Sequence, residues 1–409
     1  MGGGLMQLVA HGAQDVYLTG NADITFFKVV YRRHTNFAVE AIEQTFNGTA
    51  DFGRRVSVTV SRNADLITRA YVQVTLPEVL SPAGGFAWVE EVGHYLLNNV
   101  QVEIGGQTID RHYGEWLSIW NSLTLPVGHD AGYDRMIGNE VELYGQAGAL
   151  ITAGLTAPQR VLHIPLQFWF NRNAGLALPL IALQYHEVKI SVEFAQLSSL
   201  YRGDAPVITP TLSDASLYID YVYLARDERR RFAQSAHEYL IEQLQFQGSD
   251  SLGTGLNHKI RLNLNHPVKE LLWVVQRDDA LDAGIDFQPN NFTTELPSVG
   301  GGENNVASAL IQLNGHERFS ERSGTYFNVV QPYEHHTRSP AIGINVYSFC
   351  EKPEEHQPTG SANFSRIDNA NLVLTLANAG GASRTVRIYG VNYNVLRIMS
   401  GMGGLAFAN

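Results

Sequence analysis

Apolar residues recur at every second position through much of the chain: Val56, Val58 and Val60; Val100, Val102 and Ile104; Val188, Ile190 and Val192; Leu262 and Leu264; Leu372, Leu374 and Leu376. Strand side chains alternate between two faces, so this period predicts half-buried strands in sheets with one wet face. Aromatic and β-branched residues crowd these runs, Gly and Pro punctuate them, and helical periodicity is scarce. The pattern predicts an all-β chain of sandwich or barrel type.

The pattern also occurs twice. Phe46 and Gly48 in VEAIEQTFNG match Phe246 and Gly248 in YLIEQLQFQG at an offset of 200. RVSVTVSRNADLI then matches KIRLNLNHPVKEL at 204, VEIGGQ (102–107) matches IQLNGH (311–316) at 209, and LIALQYHEVKI (180–190) matches FSRIDNANLVL (364–374) at 184. SLYIDYVYL, ending at Leu224, resembles VRIYGVNYNVL near the C-terminal end. Five matches in one order indicate a duplicated unit of roughly 170–200 residues. The IGG and LNG segments read as hairpin turns. The changing offsets place extra loop at 121–160 in the first copy, and a glycine-rich polar excursion occupies 276–305 in the second. Long loops on a β scaffold are where exposed, specific features are expected. Between the copies, ARDERRRFAQSAHE (225–238) is the best helix candidate, a charged linker with Phe232 as its apolar anchor. Its Arg229, Arg230 and Arg231 are interleaved with acids, which favours a salt-bridged face over a nucleic-acid patch.

Charge narrows the partners. With 29 basic against 40 acidic residues, a net charge of −11, the chain has no positive field for nucleic acid or an anionic membrane. The 409 residues suffice for two to three domains of about 150 residues. The first residues lack a signal-peptide pattern, and the longest apolar run, GLALPLIAL, is far shorter than the ~20 residues of a membrane helix. Gly2 does not begin a myristoylation motif, because Met6 stands where Ser or Thr is needed. Cys350, the single cysteine, lies in the apolar run INVYSFC and reads as a buried, inert thiol.

Catalytic and metal chemistry are not indicated. Two sandwiches in tandem also describe bicupins, yet no HxH pair occurs; His335 and His336 are adjacent, in what reads as loop. His186 and His237 begin HEVKI and HEYLI but lack the second histidine of a zincin motif, and GxSxG, Walker A and CxxC are missing. Asp278–Asp279 and Glu354–Glu355 read as solvated loop acids. Neither a catalytic residue nor a cofactor or metal ligand is therefore expected. NxS/T sequons occur at Asn47, Asn291 and Asn363; a hairpin turn explains the first and a strand start the third, so Asn291 in its long loop is the candidate glycan acceptor.

Longer strings carry a family resemblance. GAQDVYLTGNADITFFKVVYRRHTNFAVEAIEQTF, ALPLIALQYHEVKI, RFAQSAHEYLIEQLQF with NHPVKEL, NFSRIDNANLVLTL and NYNVLRIMSGMGGLAFAN resemble the major capsid proteins of nucleocytoplasmic large DNA viruses, particularly the chlorella-virus and phycodnavirus type. The resemblance covers essentially the whole chain and departs in loops 121–160, 195–212 and 276–305. It implies two tandem eight-stranded antiparallel jelly rolls: an N-terminal arm at 1–23, a first jelly roll at 24–224, a linker helix at 225–237 and a second jelly roll at 238–409. It further implies a homotrimeric capsomer of pseudo-hexameric outline in the shell of a large icosahedral double-stranded DNA virus, assembled in the host cytoplasm. Neighbouring capsomers, minor capsid and penton proteins would be its partners, with an inner viral membrane nearby, no direct nucleic acid, and surface glycans on some loops. The contrasting reading is a duplicated β-sandwich carbohydrate-binding or bicupin-like protein, against which the missing HxH cluster counts.

Overall fold

The alternating runs become strands whose inward residues meet across two sandwiches. The computed structural model describes residues 2–145, 149–282, 284–378 and 380–408. The first sandwich uses β1 (Phe37–Thr45), β2 (Arg55–Thr59), β3 (Leu66–Leu76), β4 (Leu97–Ile104), β5 (Gln107–Tyr113), β6 (Arg160–Pro165), β7 (Val188–Phe194) and β8 (Asp214–Leu224). One sheet runs β1-β8-β3, with β6 and the short strand Leu178–Pro179 both paired to β3; the other runs β2-β7-β4-β5. The second sandwich uses β9 (His237–Gly253), β10 (Asn257–Arg261), β11 (Pro267–Arg277), β12 (Val306–Leu313), β13 (His316–Glu317), β14 (Ile344–Ser348), β15 (Ala370–Leu376) and β16 (Arg384–Met399). Its sheets run β9-β16-β11-β14 and β10-β15-β12-β13. Strand for strand the two orders are the same, which is jelly-roll topology used twice.

The duplication extends to the turns. Gly105 and Gly106 have φ of 59° and 83°, and Asn314 and Gly315 have 51° and 85°. Two consecutive left-handed residues make the type I′ turn that suits a twisted hairpin, and Gly and Asn adopt it at least cost. Register refines the alignment. Val102 lies opposite Ile190, and Ile190 opposite Val58; Ile311 lies opposite Leu372, and Leu372 opposite Ile260. Equivalent residues are thus separated by 372 − 190 = 182 and 260 − 58 = 202, two fewer than the sequence offsets of 184 and 204. A slip of two leaves every side chain on its own face, so alternation cannot detect it.

Strand β11 is buried along nearly its whole length, Val268 to Gln276. Val268, Leu271, Trp273 and Val275 enter the core of the second sandwich, together with Val386 and Ile388 of β16. Leu272 and Val274 instead join the core cluster that fills the first sandwich, as do Tyr389, Val391, Leu396 and Ile398 of β16. The β9-β16-β11-β14 sheet therefore has no wet face over this stretch. That is why LLWVV (271–275) reads as an unbroken apolar run, the signature of a sheet covered on both sides.

Helices lie outside the sheets. α1 (Gly114–Thr124) was not foreseen; its Trp116, Ile119, Trp120 and Leu123 are buried at helical spacing. The extra loop expected at 121–160 holds α2 (Asp130–Ile137) and a helical turn at Val141–Tyr144; residues 146–148 of that span lie outside the described residues. α3 (Arg226–Gln234) lies between the two sandwiches. Phe232 packs against Leu66, Ala177 and Val222, and Arg229 pairs with Asp65 at 2.9 Å. Met1–Phe37 is a compact unit of its own, with helical turns at Gly3–Val9 and Val16–Thr19. Its apolar side chains are open to solvent, Phe26 and Phe27 at 90% and 97% exposure.

Because β11 serves two cores, truncation on either of its faces should weaken one cooperative unit. Trp273→Ala is expected to cost ~3–5 kcal/mol and Leu272→Ala ~2–5 kcal/mol, both by shifting a single denaturant transition. A separate early transition in Leu272→Ala would show that the halves unfold independently.

Candidate functional site

The chemistry-bearing side chains concentrate where the two sandwiches meet. Glu115, in the first turn of α1, accepts hydrogen bonds from Arg387 Nε at 2.8 Å and Tyr389 Oη at 2.7 Å, while Arg387 Nη2 reaches its second oxygen at 2.7 Å. Alternation on β16 explains the pairing, because residues 387 and 389 share the face turned to the first sandwich. Burial opposes the charge on Arg387, but Glu115 outweighs it and raises the guanidinium pKa further. Burial, reinforced by the Glu115 charge, holds the Tyr389 phenol neutral.

A second pairing uses Glu242 of β9, which meets Lys269 Nζ at 2.7 Å and Arg172 Nη2 at 3.0 Å. Lys269 sits at a break in the β11 register and is completely buried; its Nζ also donates to the Pro353 carbonyl at 2.5 Å. Burial works against ionised Glu242, yet Arg172 and Lys269 hold its carboxyl below the ordinary range. Main-chain groups complete the join: Leu244 N–H donates to Asp110 Oδ1 at 3.0 Å, Tyr185 N–H to Gly401 O at 2.9 Å, and Gly203 N–H to Gly284 O at 3.1 Å. Asn290 donates to Glu90 at 3.0 Å.

His336 forms a third buried cluster. It follows α4 (Gln331–His335), and its imidazole lies 3.2 Å from Glu270 of β11 and 3.0 Å from Glu354. The imidazole and the Glu270 side chain have no exposed surface. Burial alone would depress the imidazole pKa; hydrogen bonds and charge from Glu270 and Glu354 overcome it and raise the pKa to about 9. Burial likewise opposes ionised Glu354, but hydrogen bonds from His336 and Thr337 hold it below its usual range. One imidazolium thus clips together β11, the end of α4 and the loop after β14.

Sequence-predicted candidates fall in different places. Cys350 is buried beside Ser348, with its thiol pKa raised by that burial. Glu354 is a structural anchor instead of a solvated acid, whereas Glu355 is exposed and pairs with Lys352. Asp278 accepts from the hydroxyls of Ser383 and Thr385, and Asp279 pairs with Arg277 at 2.6 Å. Asn291, expected in an exposed loop, is half-buried: its Nδ2 donates to Glu295 O at 2.9 Å, and its Oδ1 accepts from Thr293. Neighbouring Phe292 plugs the core at 1% exposure and draws the loop down. Asn47 and Asn363 are the exposed sequon asparagines. Among the described residues no group of three His, Cys, Asp or Glu side chains is placed to hold a metal ion. Sequence reasoning missed the Glu115, Glu242 and His336 pairings; single charged residues inside apolar strands, such as KE in VKELLWVV, were the available signal.

Two sandwiches of identical strand order, joined through a shared buried sheet, define the double jelly-roll class. Comparison with known proteins agrees: residues 25–225 match the family described as major capsid protein N-terminus, and 228–404 match large eukaryotic DNA virus major capsid protein. The chain is 50% identical to the major capsid protein of Pyramimonas orientalis virus and 48% identical to that of Phaeocystis pouchetii virus, over the whole of each chain. Its fold matches the crystal structure of PBCV-1 VP54 with a TM-score of 0.78 at 39% identity, covering 94% of this chain and 100% of that one. The chain belongs to the major capsid protein family of large eukaryotic DNA viruses. It is a structural protein of the virion capsid shell.

Two pairings can be tested. Arg387→Met leaves Glu115 buried without its cation, and a loss of ~3–5 kcal/mol is expected in chemical denaturation. For His336, the folded-state pKa lies above the unfolded value of 6.5. Its stabilisation is therefore complete below about pH 6.5 and lost as pH rises through about 9. The lowered Glu354 pKa works in the opposite sense, its stabilisation fading as pH falls below the ordinary carboxylate range. Melting temperature measured against pH should lose its alkaline decline in His336→Gln.

Proposed function

We propose that three copies of this chain associate into a capsomer of pseudo-hexameric outline, and that these capsomers tile an icosahedral shell. The supporting observation is the pair of topologically equivalent sandwiches fixed to each other by a sheet buried on both faces. Three chains with two similar wedges each supply six near-equivalent units about an axis, which suits a hexagonal lattice. Antiparallel sandwiches pair most of their main-chain groups internally and leave loops for lateral contacts. In this reading residues 1–23 are an arm, 24–224 and 238–409 the two wedges, and 225–237 the link. The arm's open apolar side chains gain partners only on assembly, against a neighbour or at the inner side of the shell beside the viral membrane. Neighbouring capsomers, minor capsid proteins and penton proteins are the proposed contacts, and the host cytoplasm the place of assembly. Asn291 stays the proposed glycan acceptor, which requires release of its Nδ2 from Glu295 O.

Light scattering after size-exclusion chromatography should give a mass near three chains; a stable monomer would overturn the capsomer reading. Deleting residues 2–23 should leave that mass unchanged yet reduce particle yield in a co-expression assembly assay. Full particle yield from the deletion would remove the arm's role.

A further inference from the structure

We propose that the groove between β5 and β9 binds a neutral sugar, either a monosaccharide or the terminal unit of a glycan. The groove encloses about 380 Å³ at the junction of the two sandwiches. That volume lies within the ~300–1,000 Å³ range of small-ligand sites, which favour such junctions. Tyr113 and Phe246 form part of its wall, half-buried and with ring centroids 4.8 Å apart. They offer the apolar surface on which the C–H face of a pyranose can rest.

The polar lining selects the ligand. Asn392 of β16 lines the groove with no exposed surface; its Nδ2 donates to Tyr393 O at 3.2 Å, and its Oδ1 has no protein partner. With no accessible surface, that oxygen closes the floor of the groove, and a ligand meets the exposed side chains of Asn263 and Asn265 instead. Asn265 also lines the groove, with its main chain already engaged: its N–H donates to Gln245 Oε1 at 2.9 Å and its carbonyl accepts from Gln245 Nε2 at 2.6 Å. Gln247 repeats this one step along, on Asn263 N–H and Arg261 O. The side-chain amides of Asn263 and Asn265 take no part in this ladder. Each amide supplies both a donor and an acceptor, which matches a hydroxyl.

The same ladder disfavours a peptide. Two glutamine side chains already occupy main-chain groups along residues 261–265, so that wall offers an extended chain no partner to pair with. An anion is disfavoured as well. Asp110 lines the groove, with its carboxylate committed to Leu244 N–H, Arg111 N–H and the imidazole of His112 at 3.0 Å. Arg111 lines the groove beside it, so the formal charges of the lining cancel and no excess cation is left for a phosphate or carboxylate.

Saturation-transfer NMR on the full-length assembled protein, with glucose, galactose, mannose and N-acetylglucosamine offered separately, tests the proposal. Transfer to the ring protons of at least one sugar is expected. Thr108→Trp, at the exposed rim, and Asn265→Ala, at an exposed wall position, should each weaken that binding about tenfold while the melting temperature stays unchanged. No transfer to any of the four sugars, or equal binding by Thr108→Trp, would overturn the proposal. Thermal shift with inorganic phosphate is the charge control: stabilisation that Thr108→Trp abolishes would identify an anion site and overturn it too.

Discussion

The two sandwiches are arranged around paired strands, β11 and the middle of β16, that water does not reach. β11 and β16 send alternate residues into different cores, Trp273 and Ile388 to one side, Leu272 and Tyr389 to the other. Burying a second face removes that face from solvent only if another body of matching shape covers it, and the first sandwich is that body. The two jelly rolls are therefore not beads on a linker. The helix Arg226–Gln234 connects them in sequence, but the apolar seam fixes their relation in space.

Charged groups at the seam then set direction. Apolar packing alone tolerates sliding, whereas Glu115 with Arg387 and Tyr389, and Glu242 with Lys269 and Arg172, are satisfied in one register only. Each lone charge would be expensive inside the protein, so a misdocked arrangement loses more than contact area. The His336 clip serves a similar end within the second sandwich, tying the loop after β14 to the strand beneath it.

Much of this was legible in the sequence, for identifiable reasons. Alternation at Val56 to Val60 or Leu372 to Leu376 revealed strands and faces, because a half-buried strand writes its geometry at period two. Repetition with ordered offsets revealed two units, and the LNG and IGG triplets their hairpins. Period two could not reveal the exact pairing partner, and two matches were off by one full period. Nor could it reveal α1, whose Trp116, Ile119, Trp120 and Leu123 spell a helix only when read at spacing 3 and 4 within a chain dominated by strands. The seam was hidden because Lys269, Glu242 and His336 acquire meaning only from residues far away in sequence. The depth of Asn291 was hidden for the same reason, since Phe292 finds its core only after the two halves meet.

The order of strands within the second sandwich has a temporal consequence. β16 is flanked by β9 on one side and β11 on the other, yet it follows both in the chain. The start of β16 lies 384 − 253 = 131 residues beyond the end of β9 and 384 − 277 = 107 beyond that of β11, so at ~5–20 residues per second the flanking strands wait roughly 5–25 seconds with open edges during synthesis. The first sandwich meanwhile holds its seam face uncovered. In the finished sandwiches these surfaces are paired and covered, but the nascent chain passes through a stage in which they are unpaired strands and bare apolar side chains, at the crowded concentrations of an infected cell.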